Sequence, residues 1–232
     1  PDDLEIMAID GILKGFSGRG NVFGGVVLTD GRGAPRSGKF SSLSDDELAL
    51  LRKEEQKEAA RIGSYGALVF LNFSSRDVRQ GSSVVDSLAR VLQMARPRWV
   101  YTHNLLDAHP THSAAAWRVI QALRSLPADM LPEQVYGCEV WRGLEWLPVR
   151  WRVAFDCSDH LELQKELLEV FKTQVESGKR YDRAILGRRA ANATMNEPNT
   201  VDKARALTYA MDLTPLVRDK TVSPRAYLLE IL

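Results

Sequence analysis

The chain has four histidines in 232 residues, and three of them, His103, His109 and His112, fall inside the stretch THNLLDAHPTH at residues 102–112. His109 and His112 stand three apart, a spacing that shares one face of a helix. Asp107 and His103 sit on the approach to that helix. Far upstream, Asp2 and Asp3 form an adjacent carboxylate pair. Imidazoles and carboxylates converging on one point, with a coordination position left for water, are what hydrolytic zinc sites use. The competing reading is that the histidines are solvated loop residues and that Asp2 and Asp3 cap a helix. His-x-x-His recurs by chance, so spacing alone leaves the two readings evenly balanced.

The elements that must position these residues read as strand and helix in alternation. PDDLEIMAIDGILKGF reads as a loop entering a helix, its two aspartates placed where acids favour the helix dipole. NVFGGVVLTD predicts a strand over residues 22–28, ending in a turn at Asp30-Gly31. A Gly/Ser-rich loop over residues 31–44 leads to a charged helix from about Asp45 to Ile62, capped by Ser44. Its Arg52/Lys53/Glu54/Glu55 run reads mostly as a solvated face. ALVFLNF is the short continuous apolar run of a buried parallel strand. SSVVDSLARVLQMAR is a helix stopped by Pro97, and RWVYTHN a strand ending at the histidines. HPTHSAAAWRVIQALRSL is a helix with Pro110 near its first position. This alternation predicts an α/β fold of three layers, α/β/α, Rossmann-like and with a mostly parallel sheet. Ligands of such sheets bind beyond the carboxyl ends of the strands, where the histidines lie.

From Pro132 the pattern changes. EQVYGCEVW and WLPVRWRVAFD read as two strands turned at residues 142–145 into an antiparallel pair. SDHLELQKELLEVFKTQV reads as a helix capped by Ser158 or Asp159, with His160 a solvated neighbour of that cap. RYDRAILGRRAANATM is a further helix. The tail from Asn196 is a polar loop, a short segment ALTYAMDLT and an irregular end. The expectation is one domain over 1–232, with a Rossmann-like core over 1–130 and a smaller C-terminal elaboration over 131–232.

PDDLEIMAIDGI, followed far downstream by HNLLDAHPTH, resembles the PIG-L/LmbE family of metal-dependent N-deacetylases. That family carries Ala/Pro-His-Pro-Asp-Asp after its first strand. A bacterial branch carries His-Asn-x-x-Asp-x-His-x-Thr-His at the end of a later one. VVLTDG, LRKEEQKEAARIG, FDCSDHLELQKELLEVFKTQV and YDRAILGRR resemble further family segments, so the resemblance runs over nearly the whole chain. It implies Asp3 and His112 as metal ligands, with a third, a histidine, expected immediately upstream of Pro1. It implies Asp2 as the general base that activates the metal-bound water. His109 matches the residue that stabilises the tetrahedral oxyanion or protonates the leaving amine. Arg52 matches a contact to a sugar hydroxyl or phosphate. Some members carry a tyrosine where this chain has Asp107, which is expected to orient His109 through a carboxylate–imidazole hydrogen bond. The implied activity is removal of an acetyl group from an N-acetylated amino sugar, such as N-acetylglucosamine, or a conjugate of one. The implied cofactor is Zn2+, other divalent ions being compatible with His/Asp donors. The alternatives are an amidase acting on a non-sugar amide or thiol conjugate, and a sugar-binding domain without catalysis.

The bulk numbers set other classes aside. Lys and Arg number 31 against 30 Asp and Glu, a formal net charge of +1 without the basic stripe of a nucleic-acid protein. Cys138 and Cys157 are too few for a disulfide scaffold and lack C-x-x-C spacing, so reduced thiols in a cytoplasmic protein are expected. The longest apolar run, GALVFL, is far too short to span a bilayer. GAPRSGKF nearly spells a phosphate-binding loop. Phe40 stands where the magnesium-holding hydroxyl belongs, and no helix starts at Lys39, so nucleotide hydrolysis is not expected. The loops over residues 31–44 and 74–82 are instead expected to set substrate specificity. Of Trp99, Trp117, Trp141, Trp146 and Trp151, at most one is expected to face a ligand, the rest packing in the core. Glu139 and Trp141 either reach the pocket or pair across strands, and the second reading is preferred.

Overall fold

The computed structural model describes residues 1–231. The expected α/β class is observed: among the described residues eleven α-helices accompany six strands, which divide into two sheets. The chain forms two compact units, one of Pro1–Ser74 with Phe155–Thr208, the other of Ser75–Ala154 with Tyr209–Leu232.

In the first unit, α1 (Leu4–Met7) and α2 (Ile9–Phe16) are separated at Ala8, whose backbone leaves the helical region. Strand β1 (Gly24–Thr29) pairs in parallel with β2 (Ala67–Phe73), from Gly24 opposite Ala67 to Val27 opposite Phe70. Strand β1 thus starts two residues later than the sequence pattern suggests. Between the two strands runs α3 (Asp45–Ile62). Ser44 accepts the Glu47 N–H while the Glu47 carboxylate accepts the Ser44 N–H, so two of the orphan donors at the helix start are satisfied reciprocally. The unit is completed by α7 (Leu161–Glu169), α8 (Lys172–Val175) and α9 (Tyr181–Met195). The N-cap position of α7 is occupied by His160, in a left-handed conformation (φ 53°) and without a side-chain capping bond, not by Ser158 or Asp159. The Ser158 hydroxyl is engaged elsewhere, accepting the Arg205 N–H at 2.8 Å and donating to Asp156.

The second unit holds α4 (Ser75–Gln80), α5 (Ser83–Ala95), β3 (Trp99–His103) and α6 (Pro110–Ser125). Strand β3 lies parallel to β4 (Gln134–Cys138), with Trp99 opposite Gln134 and His103 opposite Cys138. The sheet order is β3-β4-β6-β5, with β5 at Arg152–Asp156 and β6 at Leu207–Asp212. The expected β4–β5 hairpin is therefore absent, because β6 lies between them and runs antiparallel to β4. Two features explain this. The connection over residues 139–151 far exceeds a hairpin loop of about two to five residues, and β6 is apolar enough to be buried along nearly its whole length. The chain end is helical rather than irregular, as α10 (Thr214–Arg218) and α11 (Pro224–Ile231). Ile120, Leu123, Val135, Leu213 and Leu216 form the fully buried core beneath α6 and β4. Among the described residues no helix is long and apolar enough to cross a membrane.

Candidate functional site

In the second unit the carboxyl end of β3 delivers His103, and the turn after it is built by Asn104. The Asn104 amide and backbone N–H both donate to the Cys138 carbonyl, at 3.0 and 3.1 Å, and its side-chain oxygen accepts the Leu106 N–H. The chain then enters α6 with His109 at the N-cap and Pro110 in the first turn, where a missing N–H costs nothing. The His109 Nδ1 accepts the Thr111 N–H at 3.2 Å. Because a backbone N–H can only donate, the neutral His109 ring carries its proton on Nε2.

These placements bring three imidazoles together. The His103 and His112 rings stack at 4.0 Å with 19° between planes, and His109 lies 4.5 Å from His112. His103 and His112 are buried while His109 is exposed. Behind them Asp107 has a side chain with no solvent exposure. Its Oδ1 accepts the His109 backbone N–H at 2.9 Å and faces His112 Nδ1 at 3.3 Å. Its Oδ2 accepts the backbone N–H groups of Trp141 and Arg142, at 3.1 and 3.4 Å. Burial pushes this carboxyl upward. The His112 bond, the His109 N–H and the nearby His112 and His103 outweigh it, leaving Asp107 below the ordinary carboxylate range. The expected Asp107–His109 imidazole bond is not formed: the carboxylate orients the His112 ring and holds His109 only through its backbone. A helix N-cap geometry turns the His109 ring toward Thr111, out of reach of that role.

In the first unit Asp2 sits at a positive φ of 78°, a conformation that costs about 1–2 kcal/mol for a residue with a Cβ. Gln56 holds it there, its Oε1 accepting the Asp2 N–H at 3.0 Å. The Gln56 amide donates in turn to Glu5 Oε1 at 2.7 Å, as does the Tyr65 hydroxyl. Burial pushes Glu5 up to about 7 against those two bonds. Arg189 anchors the same segment from α9, donating to the Glu5 and Ile6 carbonyls at 2.9 and 3.2 Å. Asp3 makes no side-chain bond to the α1 terminus, so the reading of the aspartate pair as a helix cap loses its support.

Arg52 is buried, and its Nη2 donates to the Pro1 carbonyl at 3.2 Å and to Asp2 Oδ2 at 3.1 Å. Its Nε and Nη1 have no hydrogen-bond partner among the described residues. Gly31 makes room for it: at φ +76°, a Cβ there would stand 2.8 Å from Arg52 Nε. Tyr181 is pushed up to about 12, by burial first and then by Asp2 and Asp3, so its phenol stays a neutral donor. Glu55, expected on the solvated face with Lys53 and Glu54, is instead buried. Its carboxylate caps Thr173 through the backbone N–H at 2.8 Å and the hydroxyl at 2.6 Å.

The sequence places His103 in the cluster without marking it as a ligand, and it does not single out Glu5, Gln56 and Arg189 as supports of the Asp2 segment or Glu55 as the partner of Thr173. For α3 the signal was present: Leu48, Arg52, Glu55, Gln56 and Ala59 fall at helical spacing on one buried face. GAPRSGKF forms only a short turn at Gly38–Phe40. Both cysteines are free and buried, and burial pushes the Cys157 thiol up to about 12, making it inert.

The profile of one family, PIG-L: GlcNAc-PI de-N-acetylase, matches residues 1–123, more than half of the chain, and the chain belongs to that family. Among solved structures it is similar to the N,N'-diacetylchitobiose deacetylase of Pyrococcus horikoshii, at 21% identity and a TM-score of 0.71, over 98% of this chain and 85% of that one. The 4-carboxy-2-hydroxymuconate hydratase of Pseudomonas putida KT2440 is similar at 20% identity and a TM-score of 0.71, over 90% of each chain. A zinc-inhibited form of teicoplanin deacetylase follows at 14% identity and a TM-score of 0.62, over 91% and 96%. At these identities the structural likeness establishes the fold, and the family match the general class of de-N-acetylases.

Proposed function

We propose that the chain is a divalent-metal-dependent hydrolase that removes an acetyl group from an N-acetylated amino sugar or a conjugate of one. The observation that carries this reading is the stacked His103–His112 pair, buried and backed by the Asp107 carboxylate, in a member of this family. We assign His103 and His112 as metal ligands, joined by Asp3 as the resemblance to the family implies. His103 is an addition to the ligands that the sequence suggests. Two imidazoles and a carboxylate fit zinc, and His/Asp donors also accept other divalent ions. Such an ion, when bound, polarises the acetyl carbonyl and lowers the pKa of its water to roughly 7.

The protein's own groups do the rest. The Asp2 carboxylate takes a proton from the attacking water and returns it to the departing nitrogen, so that acetate and free amine are released. His109 donates from Nε2 to the oxyanion. This is favoured over protonation of the amine, because an imidazolium would carry a hydrogen on Nδ1, where the Thr111 N–H already points. Arg52 offers its unpartnered Nη1 to a substrate oxygen. The substrate is a small molecule, the whole chain acts as one deacetylase domain, and two free thiols fit a cytoplasmic location.

The test is acetate release from N-acetylglucosamine and its conjugates by the full-length gene product, before and after chelation, with metal content measured beside His112→Ala. Expected are about one zinc per chain, its loss in the variant, and activity that chelation removes and zinc restores. Acetate release that survives chelation, or a protein that binds no divalent metal, refutes the reading.

A further inference from the structure

We infer that Trp141 is an aromatic platform on which a ring of the substrate packs, and hence a specificity-determining residue; its substrate class rests on the deacetylase reading. Trp99 and Trp117 are half-buried and covered by arginines, Arg98 at 4.8 Å and Arg124 at 5.9 Å. Trp151 packs edge-on against Tyr227. Trp146, though exposed, donates its ring N–H to the Gly143 carbonyl within its own loop. Trp141 instead stands beside the histidine cluster. It is 43% exposed, and its ring lies nearly parallel to His109, with 28° between planes and 6.5 Å between centroids.

Its placement is fixed by the histidine cluster itself. Asp107, whose Oδ1 faces His112 and holds the His109 backbone, accepts the Trp141 backbone N–H on Oδ2. One fully buried carboxylate therefore sets the histidines and the indole in a common frame. Glu139, two residues earlier, has the purely structural role. It is buried, with Oε1 accepting the Tyr209 N–H and Oε2 the Leu144 N–H, and so secures both ends of the segment that presents Trp141. An indole left open to water is unfavourable, and an apolar ring face laid on it recovers that loss. A pyranose offers such a face of C–H groups, and its acetamido group can then extend toward His109. A flat aromatic ring fits the same surface, and an acyclic amide does not.

Steady-state KM and kcat are measured for N-acetylglucosamine and for the ring-less N-acetylethanolamine, in wild type, Trp141→Ala, Trp141→Phe and the control Trp146→Ala. Calorimetric titration of N-acetylglucosamine into each protein, with Asp2→Asn to block turnover, reads binding alone. Trp141→Ala should raise KM for the ring substrate roughly tenfold more than for the ring-less one. The Phe variant should recover most of that loss, and the sugar Kd should weaken by a similar factor. Equal losses on both substrates, or the same selectivity loss in Trp146→Ala, overturn the platform. If wild type releases acetate from neither substrate, the deacetylase reading rests on the conjugates and metal content tested above, and the titration decides for the platform. A sugar bound by wild type and held about tenfold less tightly by Trp141→Ala sustains the platform. Equal affinity, or no binding, ends it.

Discussion

Replacing Asp107 by asparagine keeps size and shape and changes only what the side chain can offer. A carboxylate accepts on both oxygens, and here both are used: Oδ2 by the Trp141 and Arg142 N–H groups, Oδ1 by the His109 N–H and against His112 Nδ1. An amide accepts on one side alone. The two backbone donors keep the carbonyl oxygen, so the NH2 turns toward His109 and His112. It then opposes the His109 N–H and donates to His112 Nδ1, which holds that ring with its hydrogen on Nε2. With Nδ1 facing residue 107, Nε2 is the nitrogen left for a cation, and the substitution covers it. Loss of such a partner costs about 10- to 100-fold in metal affinity, or roughly 1.4–2.8 kcal/mol. The buried donor left opposed costs the metal-free protein about 1–3 kcal/mol of stability. Competition against a chromophoric chelator measures the first and urea unfolding of the metal-free protein the second. A zinc affinity within about twofold of wild type would refute the assignment of Asp107 as the residue that sets the His112 tautomer.

Two further perturbations address the first unit. Glu5 titrates at about 7 in the folded chain against an ordinary 4.5, so the proton is held more tightly when folded. The stability this confers is complete below the unfolded value and is lost as pH rises through the folded one, about 3 kcal/mol in all. Glu5→Gln cannot ionise, so the stability difference between wild type and variant should shrink or reverse from about pH 5 to about pH 8; a difference constant with pH in urea titrations contradicts the burial argument. Gly31→Ala places a Cβ at φ +76° and 2.8 Å from Arg52 Nε. A loss of about 1–2 kcal/mol is expected, seen as a melting temperature lower by roughly 2–8 °C, together with reduced deacetylation as Arg52 is displaced.

Much of the fold was legible because its elements announce themselves locally. Ser44 marked the start of α3, and the apolar run ALVFLNF coincides with β2. Pro110 marked the first turn of α6. What stayed hidden was pairing between distant segments. The strand inserted between β4 and β5 comes from residues 207–212, far along the chain, and no local pattern distinguishes it from an ordinary apolar stretch. The site divides the same way. Clustering exposed the histidines, whereas the polar residues that hold Asp2 lie dispersed on α1, α3 and α9, and each reads singly as solvated surface. Burial converts Gln56 and Arg189 from surface residues into positioning groups, and burial is a tertiary property.

The fold leaves the reaction open, since a hydratase and two deacetylases share it, and the choice lies in how protons are handled. Hydration of a carbon–carbon double bond delivers a proton to carbon and expels no amine. Amide hydrolysis needs a donor for the oxyanion at the acetyl carbonyl, and it needs the water's proton carried across to the departing nitrogen. The His109 ring, fixed by the Thr111 N–H with its donor on Nε2, suits the first requirement. Asp2, held at an unusual backbone angle by Gln56 and paired with Arg52, suits the second. Both features depend on hydrogen bonds from outside the reacting groups, to a helix N-terminus in one case and to α3 in the other. Selection for amide cleavage would therefore act on Gln56 and Thr111 as much as on Asp2 and His109. Gln56→Leu tests this: it removes the acceptor of the Asp2 N–H and should lower kcat for deacetylation by more than tenfold while leaving bound zinc in place. A kcat within about twofold of wild type would show that the backbone clamp on Asp2 plays no part in the proton transfer.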